Sequence, residues 1–235
     1  EAIGEFGIKQ FVEPKDSWIA EKITGCTLVA PNETKIDVPF NNENGYILNR
    51  RIFDYDLSRL AADEGAEIYT KAYVNGLIIN DDVVSGVKLE YLGEKLEIQS
   101  KIVIAADGVD SRVGRWAGLK SQVRMKDMES CVQYSVANVK VKRNTLTMHV
   151  GKEYAPGGYL WVFPKGEKFA NIGIGISGKY SKDRSAKSFL DGFMQKEYPK
   201  GAILTTMCGG VPCASPLKNP VANGLIVVGD AAHQV

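Results

Sequence analysis

Twice in this chain a short aliphatic run stops at an acid–glycine pair and gives way to small residues. The first is Ile102-Val103-Ile104-Ala105-Ala106, ending at Asp107-Gly108; the second is Leu225-Ile226-Val227-Val228, ending at Gly229-Asp230-Ala231. Runs this short, bounded by turn residues, are the signature of buried strands. Glycine lets backbone approach a ligand, a carboxylate accepts bonds from ligand hydroxyls, and a following helix N-terminus favours phosphate. Each turn also has a plainer reading as the start of a helix. Asp230 in the second, and Asp110 or Ser111 in the first, are ready N-caps. Capping alone explains one such turn more easily than two, about 120 residues apart.

Around these turns the chain divides into stretches of different period. Residues 1–48 are expected to be irregular with short strands. From Arg50 to Gly65 Phe53, Leu57, Leu60 and Ala61 recur at helical steps, with Gly65 as a stop. A short strand is expected over 66–69, then strands over 73–80, 83–91 and 95–98 in a meander that returns into 101–105. Residues 132–141, 145–150, 159–163 and 171–176 alternate at period two and predict an antiparallel sheet with one face buried. Residues 181–198 then form an amphipathic helix whose apolar face carries Ala186, Phe189, Leu190, Phe193 and Met194. Such a face docks on a membrane or on the sheet, and the pattern favours the sheet.

The strand Tyr159-Leu160-Trp161-Val162-Phe163-Pro164-Lys165 places Tyr159, Trp161 and Phe163 on one face and Leu160 and Val162 on the other. Pro164 ends the strand or marks an edge. An aromatic stripe of this kind is ordinarily core. In Asn171-Ile172-Gly173-Ile174-Gly175-Ile176 the isoleucines fill one face and Gly173 and Gly175 leave bare backbone on the other. Aromatic wall and glycine floor together describe a slot for a long, flat, apolar molecule.

The paired Asp-Gly and Gly-Asp turns resemble those of the FAD-dependent hydroxylase and reductase superfamily typified by para-hydroxybenzoate hydroxylase. The aromatic motif between them, with Glu1-Ala2-Ile3-Gly4 and Arg50-Arg51-Ile52-Phe53-Asp54, is similar to the geranylgeranyl reductase family, including its archaeal digeranylgeranylglycerophospholipid branch. That resemblance implies an α/β fold with α+β character, combining part of an FAD-binding Rossmann-like domain with an antiparallel-sheet substrate domain. The implied division is 1–120 for a partial FAD-binding domain with a β-meander, 121–215 for the substrate domain, and 216–235 for the return strand and Gly-Asp motif. It implies FAD held near Arg50, Asp107, Gly108, Gly229, Asp230 and Ala231. It implies a prenyl lipid held by Tyr159, Trp161, Phe163, Pro164, Lys165, Gly173 and Gly175. For Arg50 the alternative is a surface salt bridge. Lys165 fixes a lipid phosphate, tunes the flavin or is simply solvated, and His233, where the helix after Gly-Asp begins, has a catalytic role or a turn or capping role. No catalytic acid is assigned.

The expected activity is saturation of prenyl double bonds, with ferredoxin or a nicotinamide cofactor as electron donor. The expected setting is cytoplasmic, with peripheral membrane contact as a further expectation. The family's first nucleotide-binding unit has no counterpart here, so the chain is expected to be an internal piece that binds FAD poorly alone. The rivals are an oxygen-using monooxygenase or halogenase of the same superfamily and a non-catalytic prenyl-lipid-binding module. A formal net charge of +1 offers no electrostatic footprint for nucleic acid. Four cysteines without C-x-x-C spacing and two histidines argue against zinc and suggest buried free thiols.

Overall fold

The computed structural model describes residues 1–41 and 43–235, and strands dominate it. The first elements are β1 (Ala2–Gly4), α1 (Glu5–Lys9), β2 (Ile19–Ile23), β3 (Gly25–Val29), β4 (Lys35–Pro39) and β5 (Gly45–Leu48). Helix α2 (Arg50–Asp63) precedes β6 (Tyr73–Asn80), β7 (Val83–Tyr91), β8 (Glu94–Gln99), β9 (Val103–Ala105) and the single-turn helix α3 (Val113–Trp116). Then follow β10 (Met128–Ala137), β11 (Thr145–Val150), β12 (Tyr159–Pro164) and β13 (Phe169–Ser177). The last elements are α4 (Ala186–Glu197), β14 (Ala202–Pro212), β15 (Val221–Ala222), β16 (Leu225–Val227) and a 3-10 turn over Gly229–Ala232. The class is mixed α/β, rich in strand and poor in helix.

Two compact units emerge: residues 1–66 with 130–209, and residues 67–129 with 210–235. The first unit gains residues 1–66 because β3 and β4 extend its main sheet, whose order is β14-β10-β13-β12-β11-β3-β4. β3 runs parallel to β11, with Cys26 opposite Leu146 and Leu28 opposite Met148, so the expected antiparallel sheet is mixed at this join. A smaller sheet, β1-β5-β2, completes the unit. Residues 1–48 are therefore more regular than expected.

Helix α4 lies on the main sheet. Ser185 Oγ accepts the Ser188 N–H as its N-cap. Ala186, Leu190, Phe193 and Met194 are buried with Tyr134, Leu160, Val162, Ile172 and Ile174. Each large side chain buried there contributes roughly 1.5–3 kcal/mol as an upper bound. His149 sits at this seam, edge-on to Tyr154 and Phe193 at 4.9 and 4.8 Å. Burial holds its pKa down at about 4, against an ordinary 6.5. The folded ring stays neutral while the unfolded chain takes up a proton below about 6.5, so stability falls as pH drops from 6.5 towards 4. His149→Phe is expected to flatten that slope, read as the difference in urea midpoint between pH 7 and pH 5. A slope unchanged by the substitution would assign the acid sensitivity elsewhere.

In the second unit the expected meander is present as β6-β7-β8. Its turns at Asp81-Asp82 (φ 48° and 61°) and Leu92-Gly93 (φ 52° and 87°) have the left-handed conformation that suits a twisted hairpin. The expected strand at 66–69 is absent. The helix stop closes tightly instead, with Gly65 at φ 93° and the Ala66 N–H donating to Ala61 O at 3.0 Å. Ile68 and Tyr69 beyond it are exposed. Nor are the cysteines buried: Cys26 and Cys131 are half-buried, and Cys208 and Cys213 are exposed on or just after β14. The pattern Thr-Thr-Met-Cys-Gly-Gly of β14 has no apolar alternation, which is why that strand left no trace in the periodicity.

Candidate functional site

In the first unit β12 separates two interiors. Leu160 and Val162 enter the core under α4, while Phe163 is buried on the opposite face with Ile23 and Ile47, and Trp161 packs beside them. Tyr159, Trp161 and Phe163 form the expected row on that opposite face. Their ring centroids are 5.8 Å apart for Tyr159–Trp161 and 6.0 Å for Trp161–Phe163, the second pair nearly parallel at 29°. Pro164 closes the strand opposite Ala170, and β12 is an interior strand, so the proline marks an end and not an edge.

The floor differs from a bare slot. Gly173 lies opposite Trp161 in register, and a Cβ added to Gly173 would stand 2.3 Å from Trp161 Cζ2. The missing side chain makes a seat for the indole. Gly175 lies opposite Tyr159, farther along the same face. A polar network holds the indole in place: Trp161 Nε1 donates to Gln133 Oε1 (2.9 Å), and Gln133 Nε2 donates to Glu1 Oε2 (3.4 Å). Asn171 Nδ2 donates to the same Glu1 oxygen, and Ser135 Oγ bonds Asn171 Oδ1 (2.8 Å). Lys165 Nζ donates to Glu1 Oε1 (2.7 Å) and to Leu48 O (3.3 Å). Lys165 is thus an anchor of this network and not a freely solvated cation. Gln133, Ser135 and Asn171 escaped the sequence reading. Their signal was the polar alternation opposite Val132, Tyr134, Val136 and Ile172.

Arg50 forks onto Asp54 one helical turn away, with contacts of 2.9 and 3.1 Å, on the exposed side of α2. The surface salt bridge weighed for it is present.

In the second unit β9 and β16 are adjacent and parallel, with Val103 opposite Leu225 and Ala105 opposite Val227. Asp107-Gly108 and Gly229-Asp230 therefore leave the same carboxyl edge, where ligands of parallel sheets bind. The two acids behave differently. Asp107 Oδ2 accepts the N–H groups of Arg112 (2.7 Å) and Val113 (3.1 Å), so Asp107 caps α3 in place of the expected Asp110 or Ser111. Asp230 caps nothing. The preceding Val228 holds the N-cap position without a side-chain bond, and the Asp230 carboxylate is exposed with no donor among the described residues. Gly108 (φ 78°) and Gly229 (φ 64°) both have open space where a side chain would stand. The Ala231 side chain is buried in the core, leaving only its backbone for a ligand.

Residues 127–211 match the model of the geranylgeranyl reductase catalytic domain. The chain is 42% identical over 237 residues to digeranylgeranylglycerophospholipid reductase 2 of Methanococcoides burtonii, covering all of this chain and 58% of that protein. The corresponding reductase of Methanocella arvoryzae is 39% identical, covering 99% of this chain and 60% of its own length. A geranylgeranyl bacteriochlorophyll reductase-like protein of Thermoplasma acidophilum superposes with a TM-score of 0.94 at 36% identity, over all of this chain and 61% of that one. The chain resembles geranylgeranyl reductases along its whole length. The chain spans about three fifths of the length of the curated relatives it matches. A flavin-dependent brominase shares the fold, with a TM-score of 0.73 at 16% identity over 90% of this chain and 56% of that one.

His233 closes a turn. It has φ 59°, and its ring nitrogens face Ser121 O (3.0 Å) and Ser215 O (3.3 Å), so the buried imidazole ties two loops together. Among the described residues no His, Cys, Asp and Glu cluster could hold a metal ion, and no helix is long and apolar enough to cross a membrane.

Proposed function

We propose that this chain is the substrate-holding and part of the cofactor-holding portion of an FAD-dependent reductase that saturates geranylgeranyl chains of archaeal ether lipids. The carrying observation is the aromatic row on β12, fixed by a partly buried polar network and exposed at Tyr159, in a chain similar to geranylgeranyl reductases over its whole length. On this reading residues 1–66 and 130–209 hold the prenyl chain. Residues 67–129 and 210–235 belong to a Rossmann-like FAD-binding domain.

The second unit fits the flavin. A free carboxylate at Asp230 is a ready acceptor for ribityl hydroxyls, and open glycines at 108 and 229 admit close backbone approach. Reduced FAD, when bound, would supply the hydride for the prenyl carbon–carbon double bond, and a proton delivered within the site would complete the saturation. This chain's own residues bind and align. Asp230 anchors the cofactor, while Tyr159, Trp161 and Phe163 orient the alkene and exclude water. Lys165, paired to Glu1, fixes the far end of the Trp161 network. Electrons come from ferredoxin or a nicotinamide cofactor, and the lipid substrate brings the enzyme to the cytoplasmic membrane surface as a peripheral partner.

The test uses the full-length protein loaded with FAD, reduced without oxygen and incubated with a geranylgeranyl lipid. Stepwise mass gains of two hydrogens per double bond are expected. No gain, with an oxygenated product once air is admitted, would overturn the reductase in favour of a monooxygenase.

A further inference from the structure

We propose that an apolar socket beyond the Phe163 end of the aromatic row receives the terminal isoprene units of the prenyl chain, and so sets the chain length this site prefers. The proposal rests on the reductase reading and deepens it. The socket has a volume of about 230 Å³, and its walls include Ile3, Gly4, Ile23, Phe40, Tyr46 and Leu146. Ile23, Phe40 and Leu146 also belong to the cluster that buries Phe163 and flanks Trp161. Row and socket therefore share a wall, and a chain lying along the rings meets the hollow next.

Its chemistry selects hydrocarbon. The one hydroxyl among the lining residues, on Tyr46, is hydrogen-bonded to the Glu5 carboxylate, and the Tyr46 ring packs with Ile8, Trp18 and Leu48. At roughly 30 Å³ for each water-sized group, the volume takes one to two isoprene units and no more. A headgroup phosphate would find no donor side chain there.

Gly4 makes the idea testable. A Cβ added at Gly4 meets nothing within 4 Å, and its φ −71° and ψ 140° are ordinary extended backbone. The fold does not demand glycine at this position, so a leucine enters the hollow without backbone strain. Ala2 lines the same socket and provides an independent substitution. Gly7, in α1 and equally open, lies outside the lining and serves as the control.

The experiment measures equilibrium binding and turnover of prenyl alcohols of two, three and four isoprene units on the FAD-loaded full-length enzyme. Burial of a methylene is worth about fourfold in affinity. Displacing two or three from the socket in Gly4→Leu is expected to lower affinity for the four-unit alcohol at least tenfold relative to the two-unit one. The ratio of kcat/KM should move with it, Ala2→Leu should repeat the shift, and Gly7→Leu should leave the ratio unchanged. Equal losses at every length, or undiminished four-unit binding, would overturn the socket. Length-dependent binding without reduction of any alcohol by the unsubstituted enzyme would keep the socket and sink the reductase reading.

Discussion

Gly173→Ala is expected to destabilise the protein by about 1–3 kcal/mol, although alanine is ordinarily harmless in a strand. The cause is local. The new methyl would stand 2.3 Å from Trp161 Cζ2 and 2.8 Å from Nε1, so the indole must leave its seat. Moving it also breaks the Trp161–Gln133 hydrogen bond, worth about 0.5–1.5 kcal/mol, and strands the Gln133 oxygen. Urea denaturation measures the loss, and near-UV circular dichroism follows the ring. In a Trp161→Ala background there is no ring to displace, and the same methyl should cost little. The double-mutant cycle then gives a coupling of about 1 kcal/mol or more. A coupling near zero would return Gly173 to a role independent of the indole. On the proposed reading, turnover of long prenyl chains falls in both single variants while flavin stays bound.

Asp230→Ala is expected to lower FAD affinity of the full-length protein ten- to a hundredfold. A charge-assisted hydrogen bond to a ribityl hydroxyl is worth about 1.5–3 kcal/mol, which converts to that range. The apoprotein should melt within the small range of a neutral surface change, because the carboxylate is exposed and caps no helix. Asp107→Ala should do the reverse to stability. Its carboxylate holds the N–H groups of Arg112 and Val113 at the start of α3, and losing such a cap costs about 0.5–2 kcal/mol. Equilibrium dialysis and apoprotein melting separate the two acids. Undiminished flavin retention in Asp230→Ala would remove this residue from the cofactor site.

The local features of this fold were legible where period and punctuation agree. Helix α4 was visible in its apolar face, the meander β6–β8 in its turn residues, and β12 in strict alternation. Non-local choices left no such mark. Nothing within residues 25–29 or 145–149 says that the two stretches pair in parallel, since that pairing depends on a chain reversal more than a hundred residues long. The cap on α3 was misplaced for a related reason. Asp107 reaches Arg112 and Val113 across a loop turned at Gly108, whereas sequence proximity pointed to Asp110 and Ser111. At Gly173 the spacing showed missing bulk but not what fills it, because an indole one strand away and a bound ligand use the same vacancy.

The parallel pairing of β9 with β16 has a consequence for how a cofactor and this fold depend on one another. Each strand is three residues long, and their partners in the chain lie about 120 residues apart. So short a ladder has little local reward against the entropy of closing so long a loop. The Asp107 and Asp230 turns share one edge only when that ladder is formed. A ligand that touches both turns binds the paired state alone and deepens its population by mass action. On the proposed reading that ligand is the flavin, and its supply and the lifetime of this sheet become a single linked quantity.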